Sequence, residues 1–363
     1  MLDKGRIGLH QLTVLAILFT VGSSVLIAPS SLAYEAREDA WIAALLALVV
    51  GLLAVGLYNG LARLFPSATL VGMARLSLGR WLGGAVSWLY LGYFFMLSAL
   101  VLRNIGDFMT TQVLPKTPIQ FIHIFFLLVV VAGIRNGLEP FARAAEIFLP
   151  WVMLFFVTMV VLLPPEFHIE NLQPVLGYGI KPVLRGTISL FSTPYTEVVL
   201  FLMIIPLVRK RDRSGKALLT GVLIGGLMLA IIALLSILVL GADLATKQAF
   251  PSYSLAKKIS IGDFLERLEV VMAGIWFITI YFKLGLCFYA STMILGELTG
   301  ASDVKPFYLP LGLSLLALSI VIYPNFAYFV TFASRVDFLY SLPFALGFPL
   351  LFWIGWLIRG RLG

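Results

Sequence analysis

Long apolar stretches without charged side chains alternate with short charged segments along the chain. A helix that crosses a bilayer needs about 20 mostly apolar residues, whereas strands of a membrane barrel alternate over about 10. Eight uncharged stretches approach or exceed the helical length: 7–34, 40–62, 81–102, 117–134, 147–165, 217–242, 306–334 and 338–358. Two more reach it with one charge inside, 186–208 with Glu197 and 270–296 with Lys283. The pattern predicts an all-α integral membrane protein with ten transmembrane helices.

The composition supports a bilayer environment. Of the 363 residues, 60% are hydrophobic and 12% are charged, against about 45–50% and about 25% in soluble domains. These values exclude ordinary soluble enzymes, disordered chains and nucleic-acid-binding modules. The single cysteine, Cys287, excludes an internal disulfide, and the three histidines show no metal-ligand spacing. The motifs of hydrolases, metalloproteases and nucleotide-binding loops are missing, so we predict no catalysis, no metal and no cofactor.

The net charge of +8 is interpreted by position, because Lys and Arg concentrate in cytoplasmic loops. With the N-terminus inside, 15 of the 26 basic residues lie on the inner side: Lys4, Arg6, Arg63, Arg75, Arg80, Arg135, Arg143, Arg209, Lys210, Arg211, Arg213, Lys216, Lys305, Arg359 and Arg361. We therefore predict cytoplasmic N- and C-termini. The basic cluster at 209–213 lies between two spans without interleaved aromatic residues, which favours a topological role over nucleic-acid binding. The uncharged run 7–34 exceeds the about 7–15 residues of a signal-peptide core, so we predict a retained span.

Two predicted spans contain helix-breaking sequences near their middles, five spans apart. Span 1 contains Gly22-Ser23-Ser24, and span 6 contains Ser192-Thr193-Pro194. Proline removes a backbone donor, and neighbouring hydroxyl groups can bond the freed carbonyls. Interrupted helices at matching positions of two halves indicate a midplane site between inverted repeats, here about 7–165 and 183–358. The alternative is that both breaks are only kinks or close-packing positions.

Two pairs of glycines are spaced for close helix packing, Gly56 with Gly60 and Gly221 with Gly225. Small residues four apart let the backbones of two membrane helices approach each other. We assign both pairs to packing rather than to a ligand site.

Glu197 and Lys283 lie at the centres of two predicted spans. A charge at mid-bilayer costs about 2.5–3.5 kcal/mol on insertion scales, so such residues pair with each other or face a cavity. Three roles remain open. The two residues form a structural pair, or Glu197 binds a substrate ammonium group or carries a proton, or Lys283 supplies fixed positive charge where a related transporter holds sodium.

Two further pairs of opposite charges are four residues apart and so share a helix face. Arg103 and Asp107 lie near the outer end of span 3, where we predict a stabilising pair. Glu139 and Arg143 precede span 5, where we predict a cytoplasmic gate or packing element.

Three motifs give the chain a family resemblance. They are VGSSVLIAP at 21–29, RNGLEPFARAAE at 135–146 and PYTE at 194–197, the last followed by the basic cluster at 209–213. With these motifs the chain resembles the endospore germination B subunits, the spore permease family of the amino acid–polyamine–organocation superfamily. The similarity covers nearly the whole chain. The first and third motifs occur loosely across the superfamily, and the second is more particular to the germination family.

The resemblance implies a LeuT-like fold of two inverted five-helix repeats, with helices 1 and 6 broken and a ligand site between helices 1, 3, 6 and 8. It assigns ligand contacts to residues at the two breaks: Gly22, Ser23, Ser24, Ser192, Thr193, Pro194 and Tyr195. The helix 1 residues would bind a ligand carboxylate through backbone N–H groups, and the helix 6 residues would supply carbonyls and hydroxyls. Helix 3 would contribute between Tyr93 and Leu100. In some proton-coupled relatives a helix 5 lysine replaces sodium, and span 5 here has no such lysine.

The resemblance also implies germinant sensing in the spore inner membrane. The expected protein is a B subunit that binds a small-molecule nutrient, with an amino acid favoured, in contact with membrane lipid. Its expected partners are an A-type membrane subunit and a C-type lipoprotein subunit. We expect no binding to nucleic acid. Two alternatives remain open, an active proton-coupled amino-acid transporter and an ion or water conduit within the complex. The same fold serves all three functions.

Overall fold

The computed structural model describes residues 5–258 and 269–359. Helices build nearly all of this part, and its β-structure consists of one bridge between Ile7 and Val208. The α-helices are α1 (Leu9–Val21), α2 (Ser24–Ala36), α3 (Ala40–Leu64), α4 (Leu70–Leu78), α5 (Arg80–Phe108), α6 (Ile119–Ile134), α7 (Leu138–Leu162), α8 (Ile180–Leu190), α9 (Ser214–Lys247), α10 (Pro251–Ala256), α11 (Glu269–Thr299), α12 (Tyr308–Val321), α13 (Phe326–Arg335), α14 (Asp337–Leu342) and α15 (Phe348–Arg359). Lys4 and Arg361 of the predicted inner face lie outside the described residues.

Irregular helical turns join several of these helices. π-Helical turns occur at Met109–Val113, Phe191–Tyr195 and Pro343–Gly347, and 3-10 segments at Val198–Met203 and Ile205–Leu207. The second half of predicted span 6 is therefore 3-10 helix rather than α-helix.

All ten predicted apolar stretches coincide with helical structure, which confirms the all-α prediction for the described residues. By length and apolar composition, six segments of this part are able to cross a bilayer: Ser24–Leu64, Arg80–Val113, Leu138–Leu162, Arg211–Lys247, Glu269–Thr299 and Asp337–Ile358. A seventh is added if Lys305–Val321 and Phe326–Ser334 form one bent span. The apolar helices α1 and α6 have only 13 and 16 residues. The count of ten spans therefore stays a prediction.

Helix α9 packs against α1, α2 and α3, and two of its glycines set the closest approach. A side chain at Gly221 would meet the Thr13 carbonyl oxygen at 2.7 Å, and one at Gly225 would meet Thr20 Cβ at 2.8 Å. These glycines let the α1 and α9 backbones come together, and their predicted packing role is confirmed.

The glycine pair on α3 differs between its two positions. A Cβ at Gly60 would meet the Trp353 ring at 2.6 Å, so this glycine packs as predicted. A Cβ at Gly56 would meet no atom of the described chain within 4 Å. The packing prediction is wrong for Gly56, because no helix of the described residues packs on its face of α3.

The predicted stretch 306–334 is not one straight helix. Helices α12 and α13 meet at an angle of 94°. Pro324 lies in the connection and cannot continue the hydrogen-bond ladder. The Asn325 side chain then caps α13 by accepting a hydrogen bond of 2.9 Å from the Tyr328 backbone N–H. The stretch therefore consists of two helices nearly at right angles, and its assignment to one span stays a prediction.

A polar cluster joins the end of α5 to the end of α12. Arg103 Nε lies 3.1 Å from Asp107 Oδ1, which confirms the predicted pair. Arg103 also donates to the Ile320 carbonyl oxygen at 2.8 Å, and the Tyr323 hydroxyl donates to Asp107 Oδ2 at 2.6 Å. The pair therefore stabilises the bend between α12 and α13 as well as its own helix.

The segment before α1 is joined to the end of span 6 by backbone hydrogen bonds. The Ile7 N–H donates to the Leu207 carbonyl oxygen at 3.1 Å, and the Arg209 N–H donates to the Ile7 carbonyl oxygen at 3.0 Å. The predicted pair of Glu139 and Arg143 forms beside this bridge at 2.7 Å. Glu139 also lies 3.5 Å from Arg209, so the start of α7 is tied to the same end of the bundle.

Candidate functional site

The first helix break lies at Gly22, between α1 and α2. Gly22 has φ +27°, a conformation that favours glycine. A side chain there would also meet the Phe19 carbonyl oxygen at 2.7 Å and the Lys283 side chain. The Gly22 carbonyl accepts a hydrogen bond of 3.2 Å from the Thr279 hydroxyl on α11. The break is therefore held open by α11, and the helix interruption predicted in span 1 is confirmed.

The second break is the π-helical turn Phe191–Tyr195 that follows α8. Pro194 supplies no N–H to the helical ladder, which frees a carbonyl upstream. The Ser192 hydroxyl donates to the Ser189 carbonyl oxygen at 2.8 Å, and the Thr196 hydroxyl donates to the Ser192 carbonyl oxygen. The predicted helix interruption and its repair by hydroxyl groups are both confirmed.

A buried ion pair joins the two breaks to α11. Lys283 Nζ lies 2.5 Å from Glu197 Oε2, with side-chain exposures of 0% and 7%. Lys283 also donates to the Ser23 hydroxyl at 3.1 Å, and its ammonium group lies 5.4 Å from the centre of the Phe19 ring. One lysine thus binds span 1 and the segment after the span 6 break at the same depth.

A cavity of about 60 Å³ lies beside this ion pair. It is lined by the start of α2, by α5, by the end of α8 with the turn that follows, and by α13 and α14. Its polar lining residues are Ser23, Ser24, Ser30, Ser31, Asn104, Ser189, Thr193, Glu197 and Asp337. The Ser24 hydroxyl is buried and has no hydrogen-bond partner in the described chain. The cavity therefore has several polar lining residues, and at least one of their buried polar groups, the Ser24 hydroxyl, is unpaired.

The structure brings four of the predicted site residues to the cavity: Ser23, Ser24, Thr193 and Glu197. The other five lie behind its wall: Gly22, Ser192, Pro194, Tyr195 and Lys283. A Cβ at Gly51 would meet the Tyr195 ring and a Cβ at Gly226 its hydroxyl oxygen, so Tyr195 packs towards α3 and α9. From the predicted helix 3 segment, Leu97 and Leu100 line the cavity.

Asp337 is a cavity residue that sequence reasoning missed. It begins α14, lines the cavity and lies beside the Ser192 side chain. In the sequence Asp337 marks the edge of the uncharged run 338–358 and resembles a loop charge. The 94° bend before α13 is what carries this edge into the bundle. The helix-breaking Pro324, which precedes Asp337 in the uncharged stretch 306–334, is the sequence signal that could have indicated such a turn.

No three His, Cys, Asp or Glu side chains of residues 5–258 and 269–359 gather closely enough to hold a metal ion. The charged groups around the cavity are two carboxylates and one ammonium group. This arrangement suits the binding of a small polar molecule.

Solved structures of membrane transporters share this fold. Mhp1, a nucleobase–cation symport-1 family transporter in a closed conformation with bromovinylhydantoin bound, matches with a TM-score of 0.71 at 12% identity. The match covers 98% of this chain and 80% of that one. MhsT in complex with L-phenylalanine matches with a TM-score of 0.66 at 13% identity, covering 98% and 99%. The chain is thus a multi-pass membrane protein of the LeuT fold.

Sequence comparison then identifies the family. The family model described as spore germination protein matches residues 6–327. Spore germination protein KB of Bacillus subtilis (strain 168) is 35% identical over 357 residues, which cover 97% of this chain and 95% of that protein. The chain belongs to the spore germination protein family, whose members include the germination B subunits.

Proposed function

We propose that this protein is the B subunit of a germinant receptor and that it binds a small nutrient, an amino acid, in the cavity between the two breaks and α14. The observation that carries the proposal is the set of polar groups around this cavity, with the unpaired Ser24 hydroxyl among them. A volume of about 60 Å³ corresponds to about four to six water-sized spheres, which suits a small amino acid.

The cavity has separate environments for the two ends of an amino acid. The N-terminus of α2, at Ser23 and Ser24, favours a carboxylate because its first N–H groups lack helical partners and carry the positive end of the helix dipole. The carboxylates of Glu197 and Asp337 favour an ammonium group. Lys283 pairs with Glu197, so Asp337 remains as the carboxylate that a ligand ammonium group can neutralise.

The two breaks support a single transmembrane domain built of two inverted repeats, about 7–165 and 183–358. The distribution of Lys and Arg supports cytoplasmic termini. With that orientation, Asn104 and Ala249 in the lining support a cavity on the outer side of the ion pair. Family membership supports a location in the spore inner membrane and assembly with an A-type membrane subunit and a C-type lipoprotein subunit.

Ligand-induced thermal stabilisation tests the site. We expect the purified protein to be stabilised by one or a few of the common amino acids. Asp337→Asn removes the carboxylate that a ligand ammonium group would meet, and Gly22→Leu distorts the first break, so both variants should lose the stabilisation while still inserting into the membrane. Asp212→Asn is the matched control, because Asp212 is an exposed carboxylate outside the cavity.

Ligand stabilisation of Asp337→Asn and Gly22→Leu tests where the ligand binds. A liposome assay separates the receptor, transporter and conduit functions. Undiminished stabilisation in Asp337→Asn or Gly22→Leu would remove the cavity as the ligand site. In liposomes, binding without flux supports the receptor function. Accumulation of the ligand would assign a transporter instead, and leakage of salt or water without accumulation would assign a conduit.

A further inference from the structure

A groove separate from the ligand cavity runs between α6 and α12. It has a volume of about 580 Å³ and is lined by facing apolar stripes. The stripe residues recur at helical spacing: Ile124, Leu128 and Val131 on α6, and Leu309, Gly312 and Leu316 on α12. A Cβ at Gly312 would lie 3.9 Å from the Val131 side chain, so this position faces the opposite wall of the groove.

The length of the groove matches one leaflet of a bilayer. Its α6 wall runs from Ile124 to Arg135 and its α12 wall from Lys305 to Leu316. Each wall covers about 11 helical steps, or about 16 Å at 1.5 Å per residue. Half of a hydrocarbon core of about 30 Å is about 15 Å. A single acyl chain of one leaflet therefore fits along the groove.

A polar chamber of about 390 Å³ adjoins one end of the groove. Its lining includes Asn136, Ser302 and Asp303, and it shares Arg135 and Lys305 with the groove. Both basic residues are exposed, and neither takes part in a salt bridge within the described residues. The Asp303 carboxylate accepts from the Lys305 backbone N–H at 3.0 Å. The two cations thus stand where the apolar groove meets polar surroundings.

We propose that the groove and chamber form a binding site for an anionic phospholipid. One acyl chain lies between α6 and α12, and the phosphate lies between Arg135 and Lys305. Basic pockets between transmembrane helices bind anionic headgroups, and a guanidinium group suits a phosphate particularly well. Asp303 beside the phosphate position favours a headgroup with hydroxyl donors, such as the glycerol of phosphatidylglycerol.

Native mass spectrometry of the full-length protein with added phosphatidylglycerol tests the headgroup contacts. We expect Arg135→Gln/Lys305→Gln to bind phosphatidylglycerol about thirtyfold more weakly, since each basic residue at the surface contributes about a fivefold preference. Lys210→Gln/Lys216→Gln is the matched control. It removes the same charge from exposed residues on the same predicted face, outside the groove, and it should bind like the unchanged protein. Phosphatidylcholine should show no such loss in either variant.

The acyl-chain contact has its own variant. Gly312→Leu fills the groove without changing charge, and we expect it to weaken phosphatidylglycerol binding as well. Unchanged binding in Arg135→Gln/Lys305→Gln, or equal loss in the control variant, would overturn the proposal. Soluble glycerol phosphate lacks an acyl chain. If it binds the unchanged protein as tightly as phosphatidylglycerol does, and binds Gly312→Leu equally well, the site is only an anion site and the proposal is overturned. If Gly312→Leu does not change the affinity for phosphatidylglycerol, no acyl chain lies in the groove, and a helix of another subunit becomes its expected occupant.

Discussion

Lys283 is the residue on which the two helix breaks converge. Its side chain is fully buried, pairs with Glu197, donates to Ser23 and covers Phe19. Lys283 occupies the space that a side chain at position 22 would need, so only glycine fits there. The position of the first break, the ion pair and the wall of the proposed ligand cavity therefore depend on one another.

We expect Lys283→Met and Glu197→Gln each to destabilise the protein by about 3–5 kcal/mol, because either change leaves a buried polar or charged partner uncompensated. The double variant Glu197→Gln/Lys283→Met should recover part of this loss. The unfolding midpoint of the purified protein, measured for all four members of the double-mutant cycle, gives the coupling energy. Additive effects would argue against an energetic pair. A double variant that folds but loses ligand stabilisation would assign the pair a role in binding as well.

The sequence identified buried charged residues correctly where the position of a charge within an apolar run was enough to single it out. Glu197 and Lys283 stand out because each is the single charge of an apolar run. Asp337 was missed because a charge at the edge of an apolar run has the same sequence pattern whether the edge lies in a loop or beside a cavity. Tyr195 was assigned to the ligand site, but its ring direction depends on the turn at Phe191–Tyr195 and on the glycines that receive it.

At the scale of helices, the contact between α1 and α9 depends on small residues. Gly221 and Gly225 allow the first half of span 1 to lie directly on α9. This contact positions α1, the helix that ends at the Gly22 break.

We expect Gly221→Leu to destabilise the protein by about 1–3 kcal/mol, because the new side chain must push the α1 backbone away from α9. Gly56→Leu is the matched control from the other glycine pair. Its side chain enters open space on α3, so the change should stay within about 0.5 kcal/mol. Thermal unfolding of both variants in the same detergent checks the contrast, and equal effects would contradict the packing role of Gly221.

For the whole molecule, orientation in the membrane decides which solution reaches the proposed ligand cavity. The polar connection around Glu170 and the basic cluster around Lys210 are separated by one predicted span, which consists of α8 and the irregular turns that follow it. Both residues are exposed. They are therefore suitable reporters for the two faces.

Cysteine labelling measures this orientation directly. Cys287 is fully buried, so Cys287→Ser provides a background without reactive thiols. We expect Glu170→Cys to react with a membrane-impermeant maleimide in right-side-out vesicles, and Lys210→Cys to react only in inverted vesicles. The opposite pattern would reverse the proposed topology, and labelling of both positions from one side would contradict a span between them.

The sequence by itself determined that the protein lies in a bilayer, which stretches of the chain are apolar and helical, and where two of the predicted spans break. These are local properties, because apolar run length, a missing proline N–H and a glycine without Cβ act within a few residues. Only the tertiary structure decided which side chains share a cavity. It placed Asp337 beside Glu197 through the bend at Pro324, and it directed Tyr195 away towards α9. Such contacts depend on how each helix is rotated and on packing between segments far apart in the chain. A local sequence pattern carries no information on either.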